Sequence, residues 1–82
     1  MTKIDIYDVI SKFLKKNIEL NDEMDLFKDL DFDSLMYVEM LAELENLVGR
    51  EMDDIYERCV NPSNIGMICA YVLEIYNEKV ID

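Results

Sequence analysis

An all-α fold, a small four-helix bundle of three longer helices and one short helix, is predicted for this 82-residue chain by three features. Apolar residues recur at helical spacing, glycine and proline are confined to Gly49, Gly66 and Pro62, and those three stand where helices would end. No internal repeat or low-complexity tract breaks the pattern. The 51% apolar content suffices for one modest core, so residues 1–82 are expected to form a single domain.

The first helix is expected to start after Thr2, whose hydroxyl caps it with Asp5 at the third helical position. Ile6, Val9, Ile10, Phe13 and Leu14 then form one apolar stripe, and Lys12, Lys15 and Lys16 suit the helix C-terminus. Over residues 17–33 the helical period is lost, yet Ile18, Leu20, Met24, Leu26, Phe27 and Leu30 recur, which predicts a long loop with a long helix-to-helix connection anchored on the core. A second helix over residues 34–48 presents Tyr37, Met40, Leu41, Leu44 and Val48 on one face and stops at Gly49. A short helix around residues 54–58 follows. Asn61 and Pro62 are then expected to cap and open a last helix in which Ile65, Ile68, Val72 and Ile75 align, with Gly66 as its weak point. Tyr37, Tyr56, Tyr71 and Tyr76 are expected to be core or half-buried packing residues.

Charge and composition limit the function classes. Nineteen acidic against eight basic residues give a formal net charge of −11, which repels nucleic acid and anionic lipid and favours basic protein surfaces. No apolar run approaches the ~20 residues of a membrane span, and residues 1–5 do not lead into a signal-type apolar stretch, so a soluble cytoplasmic monomer is expected. Cys59 and Cys69 lack CxxC spacing and there is no histidine, so the thiols are expected to be reduced and packed, with no metal site. Without histidine or a nucleophile–base pair, catalysis is not expected.

The segment Asp31-Phe32-Asp33-Ser34-Leu35 is the most informative. It sets a hydroxyl in the first turn of a helix, where the partial positive end of the helix dipole stabilises negative charge such as a phosphate ester. Taken alone, Asp before Ser at a helix start reads as a cap. Leu26-Phe27-Lys28-Asp29-Leu30 precedes this segment, and Val38-Glu39-Met40-Leu41-Ala42-Glu43-Leu44-Glu45 follows it. Together with length, acidity and the position of the triplet, this constellation resembles the acyl carrier protein family over almost the whole chain. The resemblance implies that a phosphopantetheinyl transferase moves the 4′-phosphopantetheine of coenzyme A onto Ser34, flanked by Asp33 and Leu35. The arm would then hold acyl or aminoacyl intermediates as thioesters for fatty-acid, polyketide or related specialised biosynthesis. Cys59 and Cys69 match no motif residue, so the carrier thiol would be that of the arm.

The resemblance also implies partners with basic docking patches, namely synthases, acyltransferases or adenylating enzymes. They would meet Leu35, Met36, Val38 and Ala42 with Glu39, Glu43 and Glu45, an exposed face both apolar and anionic. Two positions depart from the family pattern. Asp31 stands where glycine is common, three residues before the serine, and aspartate tolerates a left-handed backbone better than most residues. Met36 stands where an acidic residue is frequent, which makes the partner face more apolar. Residues 52–64 match only loosely. Two other readings differ in class. Asp29, Asp31 and Asp33 alternate like calcium ligands, but an EF-hand loop would need glycine at Ser34 and glutamate at Met40. A small acidic inhibitor or immunity-type protein fits the composition but leaves Ser34 unexplained.

Overall fold

The computed structural model describes the backbone of residues 1–81 and the side chains of residues 1–78. Five helices follow one another: α1 (Lys3–Ser11), α2 (Leu26–Asp29), α3 (Ser34–Val48), α4 (Ile55–Arg58) and α5 (Ile65–Ile81). The long helices α1, α3 and α5 pack against one another in all three pairings. At their centre Ile6, Ile10, Met40, Leu44, Ile68, Val72 and Ile75 have no exposed surface. Each comes from the apolar stripe of its helix. Their burial, worth about 1.5–3 kcal/mol per large side chain, is what holds three otherwise marginal helices.

The chain enters α1 as expected, with the Asp5 carboxylate accepting from the Thr2 backbone N–H at 2.8 Å. It leaves α1 earlier than the stripe suggests. Phe13 and Leu14 lie past the helix in a turn, their N–H groups donating to Ile10 and Ser11 carbonyls at 3.1 and 3.2 Å. The physical reason is in the next turn, where Lys15, Lys16 and Asn17 offer nothing to bury. The tight turn instead swings Phe13 against Phe32, ring centroids 6.1 Å apart. Lys15 and Lys16 therefore do not serve the helix C-terminus.

The connection over residues 17–33 is long but not wholly irregular. It contains α2, a one-turn helix in addition to the four expected, capped by Asp25, whose side chain accepts from Phe27 and Lys28 N–H at 2.9 and 3.0 Å. Asp29 reaches back to the Asp25 N–H at 2.7 Å. These two carboxylates satisfy donors that a free loop would leave to water.

The last helix also starts later than expected. Asn64, not Asn61, caps α5, accepting from the Met67 N–H at 2.9 Å, and Pro62 sits in the preceding turn. Cross-chain pairing decides this. Leu26 N–H donates to the Ser63 carbonyl and Ile65 N–H to the Met24 carbonyl, both at 2.9 Å, around an isolated antiparallel bridge between Asp25 and Asn64. With Asn64 in the bridge, and residues 62–63 in a turn closed by the Asn64 N–H on the Asn61 carbonyl at 3.1 Å, the helix can open only at Ile65. The second helix ends as predicted, Gly49 taking the left-handed conformation (φ 79°) and donating to the Glu45 carbonyl at 2.7 Å.

Candidate functional site

At the head of α3, the cap is Asp33. Its backbone is extended and its Oδ1 accepts from the Met36 N–H at 2.8 Å. Ser34 is therefore the first helical residue and is released from the capping role that its position suggests. Its side chain is exposed and makes no hydrogen bond among the described residues. A free hydroxyl stands at the positive end of a 15-residue helix.

The segment leading to it is held from both sides. Leu30 and Phe32 are buried, and the Phe32 N–H donates to the Leu26 carbonyl at 3.0 Å. Between them Asp31 has φ 56°, the only positive φ at a non-glycine residue among those described. Two buried anchors two residues apart force the chain through a left-handed turn there, the conformation glycine would take without strain. Asp31→Ala is expected to lower stability by about 1 kcal/mol, because alanine lacks the local hydrogen bonding that makes this region tolerable to aspartate. Asp31→Gly should not lower it, and urea midpoints of the two variants check both outcomes.

Two hollows flank this helix start. One, about 310 Å³, is lined by Phe27, Ser34, Tyr37, Val38, Tyr56, Pro62 and Ser63. Its aromatic wall steps from Phe27 to Tyr37 (5.4 Å between centroids) and on to Tyr56 (6.5 Å). Tyr37 is buried, donates to the Pro62 carbonyl at 2.6 Å, and has its phenol pushed well above its ordinary pKa by that burial. Tyr56 is 64% exposed, contrary to the expectation of packing, because it points away from the face of α4 that buries Ile55. The other hollow, about 400 Å³, lies between the turn after α1 and the segment before α3; Phe13, Lys15, Lys16 and Met36 are among its lining residues.

The predicted docking face divides. Leu35 and Val38 are 67% and 60% exposed, and Glu39 and Ala42 are exposed beside them. Met36 is not on that face; it is half-buried against the core. Glu43 pairs with Lys12 at 3.3 Å, and Glu45 accepts from the Met52 N–H at 2.7 Å, tying the α3–α4 connection to α3. The helical period alone could not foresee these partners, which come from other elements. Phe27 and Tyr56, which are not part of the predicted face, also belong to the exposed apolar surface. The signal for Phe27 was the Asp25–Asp29 cap: once that turn is helical, Leu26 points in and Phe27 out.

The thiols lie elsewhere. Cys59 and Cys69 are free and buried, and burial pushes the Cys69 thiol up to about 11. Among the described residues no group of three or more potential ligands could hold a metal ion, Asp29 and Asp33 being used as caps. No helix among them is long and apolar enough to cross a membrane.

Compared with known families, residues 5–72 match the model described as phosphopantetheine attachment site. The chain belongs to this family. Comparison with curated proteins and with solved structures found no match. Phosphopantetheine-binding domains are carrier proteins, generally non-catalytic, and their prosthetic group is a covalently attached 4′-phosphopantetheine. The residues of this carrier fit such a group, since the start of α3 offers an exposed and unengaged hydroxyl between two hollows. When attached, the arm supplies a thiol that holds cargo as a thioester.

Proposed function

We propose that this carrier takes its phosphopantetheine on Ser34, from coenzyme A by way of a phosphopantetheinyl transferase. Loaded with an acyl or aminoacyl group, it would serve enzymes of fatty-acid, polyketide or related specialised biosynthesis. The observation that carries the reading is the unengaged Ser34 hydroxyl in the first turn of α3, the capping being done by Asp33. Asp33 fixes the helix start and so the direction of the hydroxyl, the dipole of α3 favours the added phosphate, and Leu35 and Val38 offer apolar surface beside it. Incubated with coenzyme A and a broad-specificity transferase, the apo protein is expected to gain the mass of one arm on Ser34. Ser34→Ala should fold, since it removes no hydrogen bond, and gain nothing. A wild-type protein that gains no mass would sink the reading. If Ser34→Ala left the biological activity whole, an acidic inhibitor would be the better account.

The docking partners of this reading are synthases, acyltransferases or adenylating enzymes with basic patches, met by Glu39 and by Leu35, Val38 and Ala42. Glu39 would act mainly on encounter, because exposed charges steer association more than they hold complexes together. Glu39→Lys is expected to remove much of the salt dependence of loading by the transferase. Leu35→Ala is expected to keep that dependence and weaken docking. Loading kinetics across a salt series, with circular dichroism confirming the fold, would overturn this surface if both variants matched wild type.

A further inference from the structure

We propose that the prosthetic arm rests, between deliveries, in the cleft between the turn after α1 and the segment joining α2 to α3, with Lys15 and Lys16 supplying positive charge for its phosphodiester. The inference rests on the carrier reading and adds a place for the arm which that reading does not require. At about 400 Å³ the cleft falls within the roughly 300–1,000 Å³ of ordinary ligand sites. It reaches Asp33 and Met36, which bracket Ser34 and Leu35 in the chain.

Three observations favour this cleft over the aromatic groove on the other side. The first is charge. Lys3, Lys12, Arg50 and Arg58 are each paired with a carboxylate, whereas the ammonium groups of Lys15 and Lys16, and of Lys28 which lines neither hollow, have no hydrogen bond or ion pair among the described residues. They remain unpaired although Asp29, Asp31 and Asp33 line the same cleft. A phosphodiester on Ser34 adds a negative charge beside those aspartates, and nearby cations offset the repulsion. The second is the lining. Apolar Phe13, Ile18, Leu30 and Met36 alternate with charged groups, which suits an arm that alternates alkyl segments with two amides and a hydroxyl. The third is the poverty of the other groove in free polar partners. There the Tyr37 hydroxyl is committed to the Pro62 carbonyl and the Ser63 hydroxyl to Asp25 Oδ2 at 2.7 Å. Amides buried in that groove would find little beyond the exposed Tyr56 hydroxyl at its rim to replace the hydrogen bonds they lose to water.

The test compares apo and holo protein after the mass of the holo form has been measured. Chemical-shift changes on loading are expected at Leu14, Ile18 and Leu30, and they should be lost in the Lys15→Gln/Lys16→Gln variant, whose exposed substitutions leave the fold intact. Lys12→Gln, outside the cleft, should retain them. As a second readout, a maleimide should alkylate the arm's thiol several-fold faster in the double variant than in wild type. Loading that shifts Phe27, Val38 and Tyr56 instead, or only residues adjoining Ser34, overturns the resting place while leaving the carrier reading standing. A protein that gains no mass overturns both.

Discussion

Gly66→Ala is expected to destabilise the fold by about 1–2 kcal/mol, against a total of roughly 4–12 kcal/mol for a chain of this length. In an exposed helix the same change would stabilise by about 1 kcal/mol, so the sign itself is diagnostic. Gly66 lies in the first turn of α5, where the loop before α2 crosses it. A methyl group there would stand 2.8 Å from the Asp22 carbonyl oxygen and 2.9 Å from Asp22 Cβ, and neither atom is the end of a flexible side chain. The loop would have to retreat. That carbonyl accepts from the Gly66 N–H at 3.0 Å and from Asn64 Nδ2 at 3.1 Å, and each bond is worth about 1 kcal/mol. Asp22 also takes hydrogen bonds from Lys3 and Tyr7, so the displacement is felt at α1. Urea denaturation should give a lower midpoint with an unchanged slope. A variant as stable as wild type would mean that the crossing is looser than these distances imply.

Acid is expected to unfold the carrier through a small set of carboxylates. The Lys3 ammonium and Tyr7 hydroxyl hold Asp22 below its ordinary 3.8. Asp54 is lowered by the Tyr71 hydroxyl and then by Arg58, and Glu78 is held below 4.5 by Arg58 and Arg50. Asp25 is lowered by the Lys28 N–H and the Ser63 hydroxyl. Each titrates lower folded than unfolded, so the unfolded chain binds more protons. Their contribution is complete above the ordinary carboxylate values and is lost as pH falls through the folded ones. The urea midpoint should therefore fall steadily once pH drops below about 4. Asp54→Asn should make that fall shallower, because one of the lowered groups is gone. The groups are near the surface, so salt should weaken the effect. A midpoint flat down to pH 3 would show that relief of repulsion among the other carboxylates outweighs these pairs.

The same residues mark how far the sequence can be read. The stripe of α3, its stop at Gly49 and the Thr2–Asp5 cap are local, set by neighbours three or four residues away, and the structure keeps all of them. Asp31 was legible only in part: aspartate tolerates a left-handed backbone, but that the chain takes one there, at φ 56°, is decided by the buried Leu30 and Phe32 on either side. The start of α5 was not. Asn61-Pro62 is a sound local signal, but Met24, Asp25 and Leu26 pair with residues 63–65 and fix Asn64 as the cap, through contacts that span 37 to 41 residues of the chain. The tyrosines divide for the same reason. Tyr37 and Tyr71 are buried by elements that close over them, whereas Tyr56 has none above it.

By itself the sequence determined the helical class and the acidic character, which depend on composition and on residues within one turn of each other, whereas Ser34 is singled out by the resemblance of almost the whole chain to carrier proteins. Tertiary structure alone decided that Met36, Glu43 and Glu45 are engaged by the body of the protein. It also decided that Lys15 and Lys16, expected at a helix end, line a cleft instead. The period of a helix fixes which residues share a face. What that face meets is fixed by segments far away in the chain, whose approach is governed by packing and long-range hydrogen bonds.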